Sequence, residues 1–125
     1  MIIRGGSESM EKDLTNFIHI AKQFGAYEAK IIHTSSIHIA GWVRMKCQYG
    51  CDGFHSNLCC PPFTPTPHET RKIIDDYQKA LLIHCQPGTH VTEISIKLER
   101  EIFLSGFHKA FGFGAGPCEN ALNVI

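Results

Sequence analysis

A chain of 125 residues can bury roughly two-thirds of the surface its unfolded form exposes, so a single domain is expected and metal is not needed merely for folding. Twelve basic residues balance twelve acidic ones, which leaves no field to gather phosphate backbones or anionic lipid and argues against nucleic-acid or membrane partners. The first ten residues lack the apolar centre of a secretory signal, and no run approaches the roughly 18 apolar residues of a membrane helix, so a cytoplasmic protein is expected.

Residues 1–9, with Gly5 and Gly6, read as a flexible lead-in to one domain over 10–125, and Met10 as an alternative start. Leu14, Phe17, Ile18, Ala21 and Phe24 recur at helical spacing and predict a helix over 10–24, stopped by Gly25 in a left-handed backbone. Ile31 and Ile32 mark a short strand over 28–34. Ile37, Ile39, Val43 and Met45 then alternate with His38, Ala40, Arg44 and Lys46 at the two-residue period of a second strand, which feeds into Cys47.

Gly50, Gly53, Pro61, Pro62 and Pro65 punctuate residues 47–65 so heavily that an ordered loop is predicted, and a loop of that length inside a domain usually carries function. Thr66, Pro67 and Glu69 form a capping box with proline at the first helical position; Ile73, Ile74, Tyr77, Ala80 and Leu81 continue as the buried face of a helix. The apolar run 80–85 predicts a strand covered on both faces, with the boundary between helix and strand placed at Ala80. Val91, Ile94, Leu98 and Ile102 predict a helix ending before Gly106, and Phe107, Phe111 and Phe113 a last strand. The expected fold is therefore α/β (α+β): a mixed sheet of about four strands with about three packed helices, in the order αββαβαβ.

Cysteine carries the chemistry. Cys47-x3-Cys51-x8-Cys60-Pro61-Pro62 collects three thiols in one loop, with Cys59 beside them and Cys118 as a remote candidate. In a reducing cytosol such a cluster binds metal or reacts more often than it forms disulfides. Thiolates from a dense local group plus one distant residue are what an iron–sulfur cluster requires, and Cys47, Cys51, Cys60 and Cys118 are the expected ligands of a 4Fe–4S centre.

Gly50 and Gly53 let the backbone turn closely around an inorganic core, Pro61 follows the last local ligand as in ferredoxin runs, and Arg44 and Lys46 supply charge against an anionic cluster. Cys-x3-Cys is less specific than a paired Cys-x2-Cys array, so zinc held by the same cysteines, or by three of them with His55, stays open as the alternative. Cys59 reads as a packed free thiol and Cys85 as core. The remaining histidines show no ligand spacing, and Gly112-x-Gly114-x-Gly116 opens no helix, so it does not make a phosphate cradle.

Several stretches in fixed order resemble the uncharacterised family of predicted metal-binding proteins found largely in anaerobic bacteria and methanogenic archaea. They are Val43-Arg44-Met45-Lys46-Cys47, Cys51, Cys60-Pro61-Pro62-Phe63-Thr64-Pro65, Glu69-Thr70-Arg71, Leu98-Glu99-Arg100-Glu101, Phe103-Leu104-Ser105-Gly106, Lys109-Ala110-Phe111 and Gly116-Pro117-Cys118. The resemblance implies metal binding through cysteines and no settled reaction. Relatives continue beyond Gly-Pro-Cys with a second cysteine-rich stretch, whereas Ala121 stands here where another cysteine is expected. A shortened C-terminus that has lost a second metal group is thus expected, with Cys118 left as a possible orphan.

The functional expectation is an iron–sulfur electron carrier or an accessory of a larger enzyme in anaerobic redox or one-carbon metabolism, working with a protein redox partner. A structural zinc module for protein interaction is the first alternative. An enzyme with an open iron position, or with a reactive Cys59 or Cys60, is the second.

Overall fold

The computed structural model describes residues 2–3 and 8–113. Its elements in chain order are β1 (Ile2–Ile3), α1 (Glu8–Gln23), β2 (Glu28–His33), a 3-10 turn (Thr34–Ser36), α2 (Gly41–Gly50), α3 (Pro67–Asp75), β3 (Lys79–His84) and α4 (Val91–Leu104). The chain divides into two compact units, one formed by Met1–Ile37 with Asp75–Gly114 and the other containing His38–Ile74.

The first unit is built on an antiparallel sheet of order β1-β3-β2. β2 runs the full length of β3, from Glu28 opposite His84 to His33 opposite Lys79. β1 adds only a two-residue edge, Ile2 opposite Ala80 and Ile3 opposite Lys79. Leu14, Phe17 and Ala21 on α1 and Ile94, Leu98 and Ile102 on α4 close over the sheet around Leu81 and Phe107. The four-residue spacing on α4 is what one helix face requires, and Leu98 and Ile102 are fully buried there. The Phe17 and Phe107 rings meet edge to face with centroids 5.7 Å apart, a geometry favoured by their quadrupoles.

Both long helices of this unit end on a glycine in the left-handed region. Gly25 has φ 111° and Gly106 φ 102°. Past each, the chain doubles back so that Ala26 N–H donates to Ala21 O at 3.0 Å and Phe107 N–H to Ile102 O at 3.3 Å. These are the six-to-one bonds of the Schellman cap, which satisfies the last helix carbonyls and sends the following apolar residue back onto the helix.

The second unit contains α2, the turns of residues 51–66, and most of α3. The capping box read from the sequence is present. Glu69 N–H donates to Thr66 Oγ1 at 3.3 Å, while Glu69 Oε2 accepts from Thr66 N–H at 2.7 Å and from its hydroxyl at 2.8 Å. Those bonds, aided by the charges of Arg44 and His68, hold the Glu69 carboxyl below its ordinary pKa.

The expected order αββαβαβ and the mixed sheet of about four strands are corrected. Among the described residues there are four α-helices, the sheet is antiparallel, and the order is βαβααβα. The expected strand over 37–46 fails because extended backbone at Ile37 and Ala40 gives way to a helix from Gly41. Trp42, Val43, Met45 and Tyr49 are all half-exposed or more, so no buried face selected period two over period 3.6, and Arg, Met, Lys and Gln favour the helix. The expected last strand fails because Phe107 is the apolar residue of the α4 cap; between it and Phe113 a single residue, Phe111, bridges. Phe111 and Phe113 remain half-exposed. β3 is a strand as expected but not covered on both faces, since Leu82 is 56% exposed.

Among the described residues, no helix is long and apolar enough to cross a membrane.

Leu98→Ala is expected to cost about 2–5 kcal/mol of unfolding free energy by urea titration followed by circular dichroism, while the exposed Ile96→Ala stays within about 0.5 kcal/mol; equal losses would contradict this core. Because the Glu69 carboxyl is depressed in the folded chain, its contribution is complete above the unfolded carboxylate pKa and disappears as pH falls through the folded value. The Thr66 amide resonance should move across that acidic range in the native protein and stay fixed in Glu69→Gln.

Candidate metal centre

A run of local turns positions the cysteine loop. Phe54 N–H donates to Cys51 O, Ser56 N–H to Gly53 O, Cys60 N–H to Asn57 O and Phe63 N–H to Cys60 O, all within 3.1–3.2 Å. Each bond spans three residues, so the chain coils on itself between Cys51 and Cys60. A longer bond ties the coil shut: His55 N–H donates to Pro61 O at 2.7 Å. His55 holds φ 66°, uncommon for a residue with a side chain, and its ring lies 5.1 Å from Phe63 and 6.3 Å from Phe54 between centroids.

This coiling brings two thiols to one place. A Cβ added at Gly53 would stand 3.3 Å from Cys51 Sγ, 3.6 Å from Cys60 Sγ and 4.0 Å from Ser56 Oγ. Gly53 thus leaves open a space that a side chain would fill between two sulfurs. Its own N–H donates to Cys51 Sγ at 3.4 Å, so the donor dipole points at the sulfur. Both cysteines are partly buried.

Cys47 stands on the last turn of α2, and Cys51 is that helix's C-cap. Arg44, one turn before Cys47 and on the same helix face, reaches across to the proline segment. Its Nη2 donates to Pro62 O at 3.0 Å, and its Nη1 to Pro65 O at 3.2 Å and Thr64 O at 3.4 Å. Arg44 therefore clamps the far side of the loop against α2. Lys46 places its ammonium 5.0 Å above the Trp42 ring, a cation–π contact. A Cβ at Gly50 would meet nothing within 4 Å, so close approach of the backbone occurs at Gly53 alone of these two glycines. Pro61 contributes the carbonyl that receives the His55 amide.

Among the described residues, no three His, Cys, Asp or Glu side chains lie close enough together to hold one ion. Cys51 and Cys60 are brought together, Cys47 is not gathered with them into a three-sulfur group, and Cys118 lies outside the described residues, as do Gly114 and Gly116. Thiol donors around an open space, with an amide directed at sulfur, fit a soft metal. Two thiols are fewer than the four donors of a closed thiolate site.

Cys59 is exposed and not packed as expected; its N–H is held by Asn57 Oδ1 at 2.9 Å. Cys85 packs against the core of the first unit, where burial pushes its thiol pKa up. A hollow of about 410 Å³ in that unit is lined by His33, Thr34, Ser35, Asp75, Tyr77, Gln78 and Lys79. It holds no cysteine, so nothing links it to thiolate chemistry. Sequence reading gave Arg44 a purely electrostatic role and missed its carbonyl acceptors, which any residue type can supply.

Arg44→Gln is expected to release the proline segment, raising amide hydrogen exchange at Phe63 and Thr64 by about tenfold or more, as loss of charge-assisted hydrogen bonds implies. Unchanged exchange would show that the three carbonyls are held by something else.

Neither the curated proteins nor the solved structures contain a match to this chain. A family model does match, over residues 30–121, a span that takes in α2, the cysteine loop and α4. The chain therefore belongs to the family described as predicted metal-binding protein (DUF2284).

Proposed function

We propose that this member of a metal-binding family carries an iron–sulfur cluster on cysteine thiolates, with Cys51 and Cys60 as the central pair and Cys47 and Cys118 completing a 4Fe–4S ligand set. The observation that carries the reading is the convergence of Cys51 Sγ and Cys60 Sγ on the space beside Gly53. An amide already bonded to one sulfur supports it, because N–H donors to ligand sulfurs stabilise anionic clusters and tune their potentials. Bound there, the cluster would supply one-electron chemistry.

This chain's own residues would hold and shield it. Arg44 fixes the proline segment that carries Cys60, Gly53 keeps space beside the sulfurs, and Phe54 and Phe63 flank His55 on the same loop. The role proposed is electron carriage to a protein partner, or accessory service to a larger enzyme of anaerobic redox or one-carbon metabolism. Arg44, Lys46, Gly50, Gly53 and Pro61 are assigned to the surroundings of the cluster.

Anaerobic purification followed by iron and acid-labile sulfide analysis and electron paramagnetic resonance tests the reading. Iron and sulfide in equal amounts, with a reducible paramagnetic signal, are expected. A colourless chain with one equivalent of zinc would replace the cluster by a structural zinc site. Cys51→Ser and Cys60→Ser should each lower bound iron about tenfold or more, as loss of a central ligand does, whereas Cys85→Ser should retain it. Parallel loss in all three would place the metal elsewhere.

A further inference from the structure

Two thiols that border one open space have a second reaction available. We infer that Cys51 and Cys60 form a thiol–disulfide exchange pair in the metal-free chain, oxidised by a low-molecular-weight disulfide to an intrachain bond that closes the metal site. The consequence for metal rests on the function proposed above; the pairing itself does not.

Geometry selects this pair. Two sulfurs lying within 3.6 Å of a single point are at most about 7 Å apart, and a disulfide needs them at about 2.05 Å. Side-chain rotation has to supply the difference, and the space in which to rotate is the one left by the missing Gly53 side chain. The backbone already folds back between the two residues through the bonds at Phe54, Ser56 and Cys60.

Other pairings are worse placed. Cys59 and Cys60 are adjacent, and neighbouring side chains in extended backbone diverge. Cys85 sits against the core with its thiol disfavoured as thiolate by burial. Cys47 is held on the helix, outside the space beside Gly53.

The step balances with the oxidant named. One thiolate of the pair attacks the small disulfide, forming a mixed disulfide and expelling one small thiolate. The second cysteine, as thiolate, attacks the protein sulfur of that mixed disulfide and expels the other. Two electrons pass from the cysteine pair to the small disulfide, and the two cysteine protons end on the released thiols. Both sulfurs then lack the negative charge that makes a thiolate a strong metal ligand, so oxidation and loading exclude each other. The partial burial of both residues leaves access for a tripeptide-sized disulfide and less for a protein.

The test uses the full chain, reduced and stripped with chelator under anaerobic conditions, then exposed to oxidised glutathione, alkylated, digested and mapped by mass spectrometry. A Cys51–Cys60 cross-linked peptide is expected as the main product, with the other thiols alkylated. The oxidised chain should take up less than about a tenth of the iron and sulfide, or of the zinc, that the reduced chain takes up, and thiol treatment should restore it. Gly53→Ala puts a methyl group between the sulfurs without requiring a left-handed backbone, since no positive φ is recorded at Gly53. It should slow cross-linking about tenfold or more; circular dichroism confirms that the variant folds.

A dominant cross-link elsewhere, full alkylation of both cysteines, or equal metal uptake by oxidised and reduced chains would overturn the inference. Cross-linking at Cys51 and Cys60 in a chain that binds no metal when reduced would uphold the pair and overturn the metal reading. Metal uptake by a reduced chain whose Cys51 and Cys60 never join would do the reverse.

Discussion

Residues 51–66 have no strand to pair with, and that constraint governs the cysteine segment. Backbone polar groups in such a stretch need partners from nearby, and Pro61, Pro62 and Pro65 bring carbonyls without N–H donors. Short turns answer part of the need between Cys51 and Phe63. The guanidinium of Arg44 answers much of the rest, because a planar fork with five N–H groups can serve several carbonyls at once. Local hydrogen bonding, and not burial, therefore fixes where the sulfurs sit.

The first unit is held by a different force. Its apolar residues come from α1, α4, β3 and the residues following Gly25 and Gly106, and they exclude water around Leu81, Leu98 and Ile102. Ion pairs outside that core, such as Lys22 with Glu28 at 3.2 Å, are exposed and add little. The contrast between the units is one of energetics: one buries a contiguous apolar core, while in the other helix α2 buries none of its side chains.

That contrast explains what the amino-acid order revealed. Helices α1 and α4 were legible because buried residues impose a period, and Gly25, Gly106, Thr66 and Glu69 mark helix ends with side-chain or backbone chemistry; the helical face read through Tyr77, Ala80 and Leu81 overran, since α3 ends at Asp75 and Ala80 and Leu81 belong to β3. Helix α2 was not legible, since with no buried face its apolar residues fit a strand as readily as a helix. Phe107 was misplaced because a period-two match with Phe111 and Phe113 outweighed the glycine before it. At the site, cysteine identity pointed to the loop, and glycine identity to Gly50 and Gly53 alike. The division of labour between Gly50 and Gly53, and the true partners of Arg44, depend on backbone atoms that carry no signature in the sequence.

The rung joining His33 to Lys79 closes the sheet where the chain departs for, and returns from, the segment that bears Cys47, Cys51 and Cys60. Thr34 N–H donates to Gln78 O at 3.1 Å and the Thr34 hydroxyl to Tyr77 O, so departure and return share one doorway. A segment that leaves and rejoins the sheet at paired residues behaves as a cassette. Its length and cysteine content can change through insertion or deletion without altering any rung of the ladder, because loop closure grows only logarithmically with length. Sheet and ligand set can thus diverge at independent rates.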